Sequence, residues 1–241
     1  MLTIEILLLV GLVVLITHAL EAVTGFGCTV LAFPFVIALT ANLELSKMLL
    51  SVLAWILALY FVITQFRQID WKQFLFIVLL SGAGMPAGMV LFRNMNAAVL
   101  TKVLGGFILL SAAVQLYKCF VTTRERKMPR FLFLLAGGII HGAFATGGPL
   151  IVLYTAQKIP DKGKFRATMC LLWAVLNTIL IVQYALEKKL NWEAGRDIVL
   201  LLPFLISGIV AGEMIHKKVS TMLFKKIVFM SLFFIGIIMM L

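Results

Sequence analysis

The sequence predicts an all-α polytopic membrane protein made of two inverted repeats, each with one glycine-broken re-entrant hairpin and three transmembrane helices. Three observations lead there. Hydrophobic residues make up 63% of the 241 and charged ones 13%. The apolar residues gather in long runs separated by short polar connections. Glycine-containing interruptions recur at corresponding places in the two halves.

The composition sets the solvent. Soluble domains are about 45–50% apolar, and a mean hydropathy of +1.11 leaves far more apolar surface than a water-soluble fold covers. A spanning helix needs about 20 mostly apolar residues, because lipid offers its backbone no hydrogen-bond partner. The opening stretch Met1-Leu2-Thr3-Ile4-Glu5 has no basic lead-in of a secretory signal, so it is expected to stay as a membrane segment. The net charge of +11 is spread over the connections and forms no single basic face, which excludes nucleic acid as the expected partner. Cys28, Cys119 and Cys170 stand isolated in apolar runs, in no metal or redox spacing. Neither a metal nor a cofactor is expected.

The runs fall at 4–22, 27–41, 45–66, 72–92, 97–120, 131–145, 148–158, 165–187, 194–214 and 219–241. Those at 45–66, 72–92, 97–120, 165–187, 194–214 and 219–241 are long enough to cross, and the others form two broken pairs. The polar connector Thr122-Thr123-Arg124-Glu125-Arg126-Lys127-Met128-Pro129-Arg130 divides the chain. This predicts a first membrane repeat at 1–120, a basic cytoplasmic linker at 121–130 and a second repeat at 131–241. Trp55 and Gln65 have counterparts in Trp173 and Gln183, and His18 before Thr24-Gly25 mirrors His141 before Thr146-Gly147. The shared order carries the repeat.

Charge and length decide the topology. With the basic linker inside, a pair 131–158 that turns back keeps Lys158, Lys162, Lys164 and Arg166 inside as well, as the positive-inside rule requires. At about 1.5 Å per residue its arms reach roughly 22 and 17 Å, short of a hydrocarbon core of about 30 Å. The same reading of 4–41 places both termini on the extracytoplasmic side of an inner (plasma) membrane, although 4–22 is long enough to cross fully. Each half then holds an odd number of crossers, so the halves insert upside down relative to each other, a transporter architecture.

The breaks read Thr24-Gly25-Phe26-Gly27-Cys28-Thr29 and Ala145-Thr146-Gly147-Gly148-Pro149. Glycine permits the sharp turn, and proline suits the first turn of a new helix. Each break exposes the N-terminus of a half-helix, whose free N–H groups and positive dipole end suit an anion. The bland alternative is that the glycines only allow close helix packing. Ionisable groups in apolar runs are costly, which singles out His18, Glu21 and His141. Glu21 follows His18 on one helix face, so the pair could carry a proton or simply satisfy each other. Ser51 and Asn177 could line a polar path or bond between helices. Lys47 and Arg166 could draw an anion inward or snorkel as anchors.

The chain resembles the TauE/SafE family of membrane permeases. The resemblance rests on Thr24-Gly25-Phe26-Gly27 with Pro34, on His141-Gly142-Ala143-Phe144-Ala145-Thr146-Gly147-Gly148-Pro149, and on the duplicated layout around a basic loop. It implies export of sulfite or an organosulfonate such as sulfoacetate. The first motif departs from the family where Cys28-Thr29 replaces further glycine. The resulting expectation is a secondary transporter of a small anion working by alternating access, with the lipid bilayer around it and a homo-oligomer compatible with the pattern. An anion channel, or a membrane-embedded subunit or enzyme without transport, is the alternative. No nucleophile elbow, HExxH or P-loop is present, so enzymatic activity is not expected.

Overall fold

The computed structural model of the chain describes residues 2–94, 96–120, 130–146 and 148–216, with the single positions 230, 233 and 237. Gly147, most of the 121–130 linker and most of the expected crosser at 219–241 lie outside the described residues. The described chain is helical, without strands. Its elements are α1 (Ile4–Thr24), α2 (Cys28–Thr40), α3 (Leu43–Gln65) with a 3-10 turn (Phe66–Gln68), α4 (Trp71–Asn94), α5 (Ala97–Phe120), α6 (Arg130–Phe144), α7 (Gly148–Lys158), α8 (Lys162–Leu186) and α9 (Trp192–His216).

Helices α1, α3, α4, α8 and α9 are each long and apolar enough to cross a membrane. Leu8, Leu12, Ile63, Leu79, Val182 and Ile206 point outward from them, a surface that lipid solvates and water does not. The chain is a multi-pass membrane protein. At 21 residues, α1 reaches roughly 31 Å at about 1.5 Å per residue, so the first arm of the first hairpin is itself a full-length helix.

Polar residues cap the outer helix ends. Asn42 Oδ1 accepts from the Leu45 N–H at 2.9 Å and Asp161 Oδ1 from the Lys164 N–H at 2.8 Å, each satisfying an amide with no partner in its own helix. Contacts between these ends define two poles. At one pole α1 starts beside α9, with the Leu2 N–H donating to Asp197 Oδ2 at 3.3 Å, and Lys189 pairs with Glu44 while Arg93 pairs with Glu187. At the other, the Asp70 N–H donates to Thr168 Oγ1 at 3.0 Å and the Tyr154 hydroxyl lies 3.4 Å from Gln73 Oε1. Arg67, Lys72, Lys158, Lys162 and Lys164 crowd this second, basic pole.

Each broken pair leaves one pole and returns to it. The α1–α2 pair starts at Leu2 beside Asp197 and ends at Thr40, whose hydroxyl is 2.8 Å from Ser46 Oγ at the start of α3. The α6–α7 pair starts and ends at the basic pole. The largest helix contacts are α4 with α6, α1 with α9 and α3 with α8. The first two run parallel. Along α1 and α9, contacts pass from Leu2–Asp197 through Gly11–Phe204 to Val23–His216. The third runs antiparallel, with Trp55 Nε1–H donating to Thr178 Oγ1 and Arg166 Nε–H to Gln65 Oε1.

Small residues let the parallel pairs close in. Cβ atoms placed on Gly84, Gly88, Gly138 or Gly142 would overlap backbone of the facing helix across α4 and α6, and one on Gly212 would crowd the Ala19 carbonyl across α9 and α1. Backbone approach of this kind drives association where lipid removes any hydrophobic gain. Gly195, also helical, has open space at its Cβ position. Alanine normally favours a helix over glycine by about 0.8–1 kcal/mol. Gly195→Ala is therefore expected to leave the thermal unfolding temperature in detergent micelles unchanged or raise it. Gly88→Ala is expected to lower it, with a loss of about 1–3 kcal/mol from overpacking against backbone.

Candidate functional site

The first break is built by two glycines in the left-handed region. Gly25 (φ 80) ends α1, its N–H donating to the Glu21 carbonyl at 2.6 Å, and Gly27 (φ 107) precedes α2. A Cβ on Gly25 would lie 2.9 Å from the Arg166 Cα, so conformation and space both demand glycine there. The second break ends α6 in the same way, but with Ala145 (φ 56), whose N–H donates to the His141 carbonyl at 2.7 Å. An alanine held left-handed costs about 1–2 kcal/mol, which the surrounding packing offsets. Gly148 opens α7, followed by Pro149 in its first turn.

The two breaks converge on one small cavity. Gly27 and Thr29 reach it from the first break, and Ala145, Thr146 and Gly148 from the second; Glu21, His141, Trp173 and Asn177 complete the polar and aromatic lining. The volume open to the centre of a water-sized sphere is about 20 Å³, enough for about one water. Trp173 ties the parts together. Its Nε1–H donates to the Gly25 carbonyl at 2.9 Å, its ring stacks on His141 at a centroid distance of 5.5 Å, and its edge faces Gly148 at a distance where an added Cβ would just touch it.

The helix N-termini facing the cavity differ in their partners. Glu21 Oε2 accepts from the Cys28 N–H at 2.7 Å, so the start of α2 is already bonded to a carboxyl group. Among the described residues, no carboxylate bonds the start of α7. Around that end Thr146 Oγ1 is buried without a hydrogen-bond partner among the described residues, and the buried His141 imidazole faces the Asn177 side chain beside the cavity. Such groups are normally satisfied, and each left unmade costs about 1–3 kcal/mol.

The other expected site residues serve the surroundings. The Thr24 hydroxyl lies 2.9 Å from the carbonyl oxygens of both Leu20 and Phe26 and is used up within the turn. Phe26 packs edge-on against Phe165 at 6.3 Å, and the Cys28 thiol sits 3.6 Å from Thr29 Oγ1. Ser51 donates to the Lys47 carbonyl at 2.7 Å. His18 donates from Nδ1 to the Val14 carbonyl at 2.9 Å, leaving Nε2 buried without a partner. No hydrogen bond joins His18 to Glu21: they share a helix, but the carboxylate turns across the break toward α2.

Lys47 and Arg166 are buried cations, not snorkelling anchors. Lys47 Nζ donates to the Gly142 carbonyl of α6 at 2.7 Å and lies 4.1 Å from the Phe92 ring centre. Arg166 Nη1–H donates to the Ala22 carbonyl of α1 at 2.9 Å, with its guanidinium 4.7 Å from the Phe61 ring centre. Each cation thus sits at the C-terminal turn of the other half's broken helix, where the dipole favours positive charge.

Sequence reasoning passed over two of these contacts. The Glu21–Cys28 bond spans a chain reversal, so no helical periodicity signals it. The Trp173–Gly25 bond joins positions far apart in the chain, and the corresponding Trp55 bonds Thr178 instead. Trp173→Phe keeps the stacking area but loses that bond. It is expected to reduce stability by about 1 kcal/mol, measured by thermal unfolding, with faster proteolysis at residues 24–28.

A family model described as Sulfite exporter TauE/SafE matches residues 9–239, nearly the whole chain. No curated protein and no solved structure gives a significant match.

Proposed function

Because the chain belongs to the sulfite exporter TauE/SafE family, a family of membrane transporters, we propose that it exports a small anion, sulfite or an organosulfonate such as sulfoacetate, by alternating access. The observation that carries this reading is the meeting of two broken helices at one small cavity with unpartnered polar groups. Helix N-termini supply positive potential without a full charge to neutralise. Thr146, His141 and Asn177 add hydroxyl, imidazole and amide donors around the α7 terminus, and Thr29 adds a hydroxyl from the α2 side. A cavity of about 20 Å³ holds about one water, so an oxyanion of several heavy atoms enters only as the helices around it separate. A channel would need a continuous polar path instead.

Two inverted halves, 1–120 and 131–241, give the motion its geometry. Under that symmetry α1 corresponds to α6, α3 to α8 and α4 to α9. The pairings α1 with α9, α4 with α6 and α3 with α8 exchange among themselves, which supports it. The halves rocking about α3 and α8 would open the cavity toward one pole at a time. The basic pole faces the cytoplasm of an inner membrane by the positive-inside rule, leaving the N-terminus extracytoplasmic.

The topology is tested with single cysteines at Asn42 and Asp161 in a background without native cysteines. A membrane-impermeant thiol reagent added to intact cells is expected to label the first and spare the second. Transport is tested in proteoliposomes. Wild-type protein is expected to give saturable sulfite and sulfoacetate flux; Thr146→Val lowers it about tenfold through a lost hydrogen bond to a charged ligand, and Gly25→Leu abolishes it. Absence of saturable flux with every anion tried would dismiss the proposal.

A further inference from the structure

From the unequal partners of the two helix N-termini, we infer that Glu21 is a built-in anion: its carboxylate occupies the start of α2 in place of substrate, leaves the start of α7 as the one open anion site, and weakens binding there by like-charge repulsion. This rests on the transport reading and gives its site a specific composition.

The case begins with backbone chemistry. α2 and α7 both start inside the protein, next to one cavity, with amides their own helices cannot satisfy. At α2 the first of these amides is met internally. Glu21 is buried, and its Oε2 receives the Cys28 N–H at 2.7 Å. A charge-assisted bond of that length is the arrangement by which a protein holds a bound carboxylate or other oxyanion. The corresponding position at the second break, four residues before its left-handed cap, is His141, an imidazole where the first break has a carboxyl group.

The second line of observation is at α7 itself. Thr146 Oγ1 is buried, lines the cavity and has no hydrogen-bond partner among the described residues, while His141 and Asn177, buried and facing each other, line the same cavity. Three polar side chains from the α6–α7 break and α8 therefore converge on the cavity that Gly148, at the start of α7, also lines. Thr146 and His141 can donate to an oxyanion, as can the amide nitrogen of Asn177. The ligand class that fits is a small oxyanion of low charge. Glu21 lines the same cavity, and in a setting of low dielectric a second negative charge there is felt strongly.

The α2 terminus is thus not a second equal binding site. Neutralising Glu21 removes the repulsion, and removing it altogether opens the α2 amides to an external anion. A role as structural cap alone predicts neither effect: it predicts lower stability and unchanged or weaker binding.

The test is equilibrium binding of radiolabelled sulfite to purified full-length protein in detergent micelles, with thermal unfolding followed on the same samples. Glu21→Gln keeps the size and the hydrogen-bond acceptor; it is expected to bind sulfite about tenfold more tightly than wild type, a change of about 1.4 kcal/mol. Glu21→Ala is expected to take up a second sulfite per chain and serves as an independent readout should the glutamine variant fold poorly. Wild-type binding with unchanged or weaker binding in both variants would overturn the inference while leaving the transport reading in place. Binding of sulfite by none of the three proteins would remove both.

Discussion

Everything in this protein turns on backbone amides that have nowhere to go. A helix that starts at a membrane surface finds water or a capping side chain, as α3 does at Asn42 and α8 at Asp161. A helix that starts inside the protein has neither, and hydrocarbon supplies no substitute. α2 and α7 are such helices, and their solutions differ. The first takes a carboxylate from the preceding helix. The second lies beside the Thr146 hydroxyl, which finds no hydrogen-bond partner among the described residues. The proposed function rests on that difference, because a helix N-terminus with donors around it suits an oxyanion.

Holding two such helix starts against one cavity requires the halves to interlock. The broken helices do not pack chiefly within their own half: α1 lies along α9, and α6 along α4. Small residues bring those backbones together, and two buried cations fasten the ends. Burying an ammonium or guanidinium costs several kcal/mol. A charge-assisted hydrogen bond of about 1.5–3 kcal/mol, a cation–π contact of up to about 2 and a helix C-terminus of similar size offset it. Lys47 and Arg166 each make all three. They tie α3 to α6 and α8 to α1, so each long central helix is clamped to the broken helix of the other half.

The breaks were legible because glycine and proline leave a signature in sequence. Gly25 and Gly27 stand where left-handed backbone is needed. Ala145 shows the limit: it takes the left-handed cap at the second break, a place no propensity assigns to alanine. From sequence, Lys47 and Arg166 at the helix mouths could either draw an anion inward or snorkel outward as anchors. Their burial depends on carbonyls contributed by the opposite half, at Gly142 and Ala22, and on the rings of Phe92 and Phe61. His18 and Glu21 share a helix face, as their spacing says, yet bond to different partners, because the chain reverses immediately after Glu21 and brings a closer donor.

Sequence alone determined the solvent, the helices, the places where they break and the charge asymmetry of the loops. These are local properties: hydropathy over about 20 residues, glycine's conformational freedom and the sign of short connectors act within a window of the chain. Tertiary structure decided which amides are satisfied and which are left open. That is settled by atoms far apart in the chain, such as Trp173 against Gly25, Arg166 against Ala22 and Asn177 beside Thr146, and a hydrogen bond of this kind exists only once packing has set the distance.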